Sequence, residues 1–137
     1  MPVAVARDDA FHFRYRETEE LLEHLGMPML NWSPMDDEPI PAEAKGLILP
    51  GGFPELHAAR LSQARRSLTS LASFVQQHPV YAECGGMLLL GQELRDPEGM
   101  AHPMASVLPF TARKSTLQVG YRLSLIHISE PTRQRVI

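Results

Sequence analysis

The sequence has a single cysteine, Cys84, so it cannot form an internal disulfide. No apolar run approaches the roughly 20 residues that a membrane span needs, and no signal peptide opens the chain. Neither sign of charge dominates: 13 Lys and Arg stand against 16 Asp and Glu, a formal net charge of −3. The basic residues are scattered among acids rather than gathered on one face, which argues against a nucleic-acid partner. The phosphate-binding pattern G-x-x-x-x-G-K-[ST] does not occur, and there is no internal repeat or low-complexity segment. These absences favour a reducing, cytoplasmic location and small-molecule or protein partners, with no nucleic acid and no membrane. What is present, 137 residues at 44% hydrophobic and 21% charged, suits one globular domain with a real core.

Along the chain, short apolar runs alternate with helical patterns. "PVAVARDD" predicts a first strand over Val3–Ala6, and "MPMLNWSP", "KGLILPGG" and "PVYAEC" predict three more. Between the first two, "TEELLEHL" places Leu21, Leu22 and Leu25 at helical spacing, with acids in its first turn and Gly26 just past its end. Between the last two, Leu61, Leu68, Leu71, Phe74 and Val75 share one helical face, with a break expected near Ser62. Strand and helix in alternation predict an α/β fold with a mainly parallel sheet, whose chemistry gathers at the carboxyl ends of the strands. After Gly91 the pattern weakens: "DPEGMAHPM" reads as a turn, and "ASVLPFTARKSTLQVGYR" as irregular or β-rich chain.

The chemistry centres on "AECGG". A strand, a nucleophile with two following glycines and an apolar helix start have the layout of a nucleophile elbow, with Gly85 and Gly86 letting the backbone pass closely. First-turn N–H groups and the helix dipole would favour the thiolate of Cys84. A buried structural cysteine beside a glycine-rich turn fits the same residues. A second pair, Gly51 and Gly52 in "LILPGGFPE", ends another core strand, and its N–H groups would suit an oxyanion in acyl transfer through a thioester. A plain strand-to-helix turn is the alternative.

With these motifs in view, the sequence resembles the glutamine amidotransferase domain of cobyrinic acid a,c-diamide synthases. "GLILPGGFPELHAARLSQ" and "PVYAECGGMLLLG" carry the likeness, supported by "VAVARDDAFHFRYRETEELLEHLG", "WSPMDDEPIP", "HPMASVLPFTARK" and "VGYR". It runs from about Val3 to Arg122, and the "ARDDAFHFRY" opening favours the a,c-diamide branch over cobyric acid synthase. The resemblance implies a class I glutamine amidotransferase-like, flavodoxin-like three-layer sandwich with a mainly parallel sheet, incomplete at the C-terminus. It implies that Cys84 attacks glutamine, that Gly52 and Gly85, with Gly51 beside them, form the oxyanion site, and that Glu83 and Glu55 support the turn or the substrate pocket. No metal or cofactor belongs to this part. Ammonia would pass to the parent enzyme's synthetase domain, which uses ATP and magnesium to amidate corrin carboxylates in cobalamin biosynthesis.

Two departures qualify this. The synthetase half is not in this sequence, and neither is the family's late histidine motif resembling "GHEFHYS". The chain alone is therefore expected to be at most a weak glutaminase. His12 and His57 lie in family motifs; His24, His78 and His102 sit near helix ends or turns, where solvated imidazoles are common; His127 has the right order but the wrong surroundings. Residues 1–122 are expected to be a partial amidotransferase domain, and residues 123–137, including "LIHISEP", a non-family tail, artefactual or disordered. Two other classes of explanation stand beside this one. One is a flavodoxin-like redox-sensing module in which Cys84 is oxidised, and the other is a non-catalytic binding domain.

Overall fold

Four apolar runs form the strands of a parallel sheet, β1 (Val3–Ala6), β2 (Met29–Trp32), β3 (Gly46–Leu49) and β4 (Val80–Ala82), in the order β2-β1-β3-β4. The computed structural model describes residues 1–113; the expected domain edge at 122 and the tail over 123–137 lie outside the described residues. Register places Ala4 opposite Leu30 and Leu47, and Val5 opposite Asn31 and Ile48. Because side chains alternate along a strand, Ala4, Ala6, Leu47 and Leu49 enter the main core while Val3, Val5 and Ile48 point to the other face.

The main core is closed by α2 (Ala58–Gln63) and α3 (Arg65–Val75), which bury Leu61, Leu68 and Leu71. The break between them comes at Ala64 (φ −79°, ψ 66°), two residues past the expected Ser62. On the other face, α1 (Arg16–His24) sets Leu22 beside Val5, Met29 and Ile48 around a small cavity. Leu21 and Leu25 of that helix, at the same helical spacing, remain 56% and 57% exposed. Helix, sheet and helix pair make the three expected layers.

The stretch between β2 and β3 is tied to α3 by polar contacts that no hydrophobic pattern announces. Asp37, itself left-handed (φ 57°), accepts hydrogen bonds from the N–H groups of Arg66 (2.8 Å) and Ser67 (3.1 Å), and so caps α3 from outside the helix. The Glu38 carbonyl accepts from both Trp32 Nε1 (2.7 Å) and the Ser67 hydroxyl (2.5 Å), satisfying two polar groups of otherwise buried residues. The Ile40 N–H donates to Ser70 Oγ at 2.8 Å.

A second, small sheet has the order β6-β5-β7, built from β5 (Glu93–Arg95), β6 (Ala101–Pro103) and β7 (Thr111–Ala112). Only the first half of "DPEGMAHPM" is the expected turn; the rest is strand. Asp96 closes that turn by accepting from the N–H groups of Glu98 (3.0 Å) and Met100 (2.9 Å), and it meets His102 Nε2 at 2.8 Å. His102 is therefore no solvated imidazole, its side chain being 15% exposed.

Two outcomes are expected. Asp37→Ala should cost about 1 kcal/mol, read as a lower urea midpoint at unchanged slope. The Asp96 carboxyl is held below its ordinary range, first by the hydrogen bond with His102 and then by the turn N–H groups. A lowered folded-state value stabilises above the unfolded carboxylate range and the gain is lost on acidification. Asp96→Asn should thus be less stable than the parent at pH 7, with the gap in thermal midpoint closing as the pH falls below about 4.

Candidate active site

The sheet order turns back between β1 and β3, since the chain runs from β1 outward to β2 and then returns to the other side of β1. Loops leaving the carboxyl ends of strands diverge at such a point and leave a crevice. Three segments meet there: residues 7–13 after β1, 50–53 after β3 and 83–86 after β4. The meeting is backbone against backbone. A Cβ on Gly52 would run into the Ala10 carbonyl; one on Gly85 would lie 2.6 Å from the Gly52 carbonyl oxygen and 3.0 Å from the Gly52 nitrogen. A Cβ on Gly86 would meet the Leu49 carbonyl, and one on Gly51 would sit 3.4 Å from Cys84 Cβ. The two glycine pairs singled out in the sequence therefore meet in one structure: Gly52 occupies the space that a side chain on Gly85 would need, and the Ala10 carbonyl occupies the space that one on Gly52 would need.

Cys84 stands at the apex with φ 49° and ψ −125°, a conformation that L residues other than glycine rarely adopt. Such a backbone costs on the order of 1–3 kcal/mol and is the geometry of a nucleophile elbow. Cys84 is exposed and unbridged, which removes the reading of a buried structural cysteine. It precedes α4 (Gly85–Leu88), a single turn whose dipole is small, so the local electrostatics come from individual N–H groups rather than a long helix. Among the described residues no acceptor engages the N–H groups of Gly52 or Gly85.

Glu83 directly follows β4: its N–H donates to the Leu49 carbonyl at 3.1 Å, and its side chain accepts from the Tyr81 hydroxyl at 3.3 Å. It lines the cavity under α1 with Phe13, Arg14 and Pro50, one residue before the thiol. Glu55 lies in the single 3₁₀ turn Pro54–His57 that follows the Gly51–Gly52 pair, half-buried. His12 joins Phe13 and Phe53 in an aromatic cluster, with ring centroids 4.6 Å from Phe13 and 5.7 Å from Phe53. Phe13 also touches the Gly51 position, so this cluster borders the crevice. His57 precedes α2, His24 ends α1, and His78 stacks on Phe74 at 4.7 Å. None of the described histidines hydrogen-bonds to Cys84, and His127 lies outside the described residues.

Among the described residues no cluster of His, Cys, Asp and Glu is arranged to hold a metal ion, and no helix is long and apolar enough to cross a membrane. An exposed thiol on a strained turn, beside free N–H groups from two chain segments, is an arrangement for attack on a carbonyl. Comparison with known proteins agrees: residues 2–131 match the CobB/CobQ-like glutamine amidotransferase domain. The chain belongs to this family. It is 40% identical to a cobyrinate a,c-diamide synthase of Synechococcus over 98% of this chain and 30% of that protein. It is 43% identical to a hydrogenobyrinate a,c-diamide synthase of Brucella anthropi, over 88% of this chain and 28% of the relative. A cobyrinate a,c-diamide synthase of Caldanaerobacter subterraneus is 43% identical over 87% of this chain and 27% of its own length. The chain thus spans less than a third of these relatives, and the part it matches is their amidotransferase domain.

Sequence reasoning missed the residues that hold the crevice from behind. Asp8 and Phe13 were visible only as letters of a family motif, because their contacts are to backbone far along the chain.

The interlock sets a sharp contrast between glycines. Gly86→Ala should cost about 3 kcal/mol or more, since the clash is with main chain that cannot step aside. Gly26→Ala, which faces open space at φ +70°, should cost only about 1 kcal/mol from backbone strain. Urea unfolding of the two variants checks the difference.

Proposed function

We propose that this amidotransferase domain hydrolyses glutamine to supply ammonia within a larger a,c-diamide synthase. The observation that supports it most is the strained Cys84 elbow beside the packed backbones of Gly52 and Gly85, whose N–H groups have no acceptor among the described residues. Cys84 Sγ attacks the side-chain carboxamide carbon of glutamine, and the carbonyl oxygen, now negative, is held by the two N–H groups. The C–N bond then breaks, the nitrogen leaves as ammonia with an added proton, and a γ-glutamyl thioester remains. Water attacks the thioester, releasing glutamate and restoring the thiol. Proton transfer is assigned to none of the described histidines. Gly51 shapes the turn, and Glu83 and Glu55 border it from the strand and the 3₁₀ turn.

In this reading the ammonia goes to the remaining, synthetase portion of an enzyme like the relatives. That portion would use ATP and magnesium to activate corrin carboxylates, in keeping with the lack of a phosphate-binding loop motif in this sequence. The relatives' names favour the a,c-diamide reaction over that of cobyric acid synthase. A cytoplasmic location accords with the single unpaired cysteine.

The test is covalent capture with 6-diazo-5-oxo-L-norleucine. Protonation of its diazo carbon and loss of N2 leave a thioether to Sγ, seen by mass spectrometry on Cys84. Labelling should be suppressed by excess L-glutamine and absent in Cys84→Ser, and glutaminase activity of that variant should fall at least about 10³-fold. A thiol that ignores the analogue but is readily oxidised by peroxide would replace this reading with the redox-sensing one.

A further inference from the structure

The loop after β1 carries a half-buried carboxylate, Asp8, both of whose oxygens are engaged within the protein. Asp8 Oδ1 accepts from the N–H groups of Ala10 (2.9 Å) and Phe11 (3.2 Å), closing a tight turn on its own chain. Asp8 Oδ2 accepts from the Met35 N–H (2.9 Å) and the Ser33 hydroxyl (3.3 Å), on the segment after β2. One side chain therefore fixes the shape of the 8–11 turn and also anchors it to a second element. Ala10 and Phe11, the residues so held, are fully buried.

What that turn touches is the Gly51–Gly52 peptide. The Ala10 carbonyl lies against Gly52, closely enough to leave no room for a Cβ. Three residues on, the Phe13 N–H donates to the Gly51 carbonyl at 3.1 Å. In a planar trans peptide the C=O of one residue and the N–H of the next point in opposite directions. Tying the Gly51 oxygen to Phe13 therefore turns the Gly52 N–H away from Phe13. The Gly52 nitrogen lies 3.0 Å from where a Gly85 Cβ would stand, so that side borders the elbow of Cys84.

We propose that Asp8 is a positioning residue for the oxyanion site: through the 8–13 turn it sets the direction of the Gly52 N–H without touching substrate. The proposal rests on the glutaminase reading above. It separates two reactions of the same thiol. Attack on glutamine develops a negative oxygen that needs the aligned N–H. Alkylation by iodoacetamide displaces iodide from a CH₂ carbon and develops no such oxygen.

The experiment compares these two rates in the purified chain, its Asp8→Ala and Asp8→Asn variants, and Asp8→Glu. Thioester formation is read as the single-turnover release of ammonia from glutamine, and alkylation as the loss of free thiol. Asp8→Ala should slow the glutamine reaction about 10²-fold, the scale of losing one oxyanion donor, with half-saturating glutamine and the iodoacetamide rate unchanged. Asp8→Asn, whose amide oxygen can still accept from Ala10 and Phe11 but whose amide nitrogen cannot accept from Met35, should lose less than Asp8→Ala. Asp8→Glu carries its charge one methylene too far to close the turn and should share the loss, which keeps the test in force if the alanine variant does not fold. Parallel falls in both rates, or no change in either, would overturn the role of Asp8 while leaving the glutaminase reading intact. A parent chain alkylated by iodoacetamide yet inert both to glutamine and to 6-diazo-5-oxo-L-norleucine would overturn both.

Discussion

The site depends on the approach of three backbones closer than any side chain would permit. Gly52 lies on the Ala10 carbonyl, Gly85 on Gly52, and Gly86 on the Leu49 carbonyl. Each contact places peptide dipoles where a Cβ would otherwise stand, and together they join the carboxyl ends of β1, β3 and β4 into one rigid edge. The strained φ of Cys84 is tolerable because this packing over-determines it. An isolated turn would relax that residue into an ordinary conformation and carry the thiol away from the free N–H groups. The same closeness explains why the crevice is narrow and made of main chain: the sheet supplies position and glycine supplies proximity.

Such an edge needs support from behind, and the support is polar rather than apolar. Asp8 and Asp37 each accept from two groups distant in sequence through their carboxylates, and the Glu38 backbone carbonyl joins nearby Trp32 to distant Ser67. Hydrophobic burial is non-directional, so it can collect the elements but cannot fix the angle of a loop. Hydrogen bonds to backbone N–H groups can, because a buried donor left unpaired costs about 1–3 kcal/mol and so permits few alternatives. The aliphatic core under α2 and α3 stabilises the layers, whereas the carboxylates orient the loops that leave them.

This division explains what the sequence made legible. The strands were readable because each is an apolar run, and Val3–Ala6 was bounded correctly by Pro2 and the polar "RDD". The elbow and its partner turn were readable because two glycine pairs at strand ends have few other uses. The helix break at Ala64 was placed early, since nothing in "LSQARRS" announces that Asp37, far upstream, caps the next helix. Leu21, Leu22 and Leu25 were legible as helically spaced, but periodicity records that a face is apolar and not what covers it, and Leu21 and Leu25 are exposed. His102 was read as solvated because its partner, Asp96, is brought close only by the hairpin.

The order of events along the chain follows from the same contacts. Residues 7–13 must find Gly51–Gly52, about forty positions downstream, and those glycines must then receive Gly85–Gly86, a further thirty or so. Each step closes a long loop before its contact stabilises it, which makes such pairings slow relative to the local helices. A parallel sheet meets this cost by aligning β1, β3 and β4 first. Once their register is set, all three loops emerge on one edge and the remaining search is local. The geometry of the reactive turn is held both by the buried residues it packs on, Ala10, Phe11 and Leu49, and by the hydrogen bonds that fix the loops, so backbone contacts remote from the thiol bear on how well it is aimed.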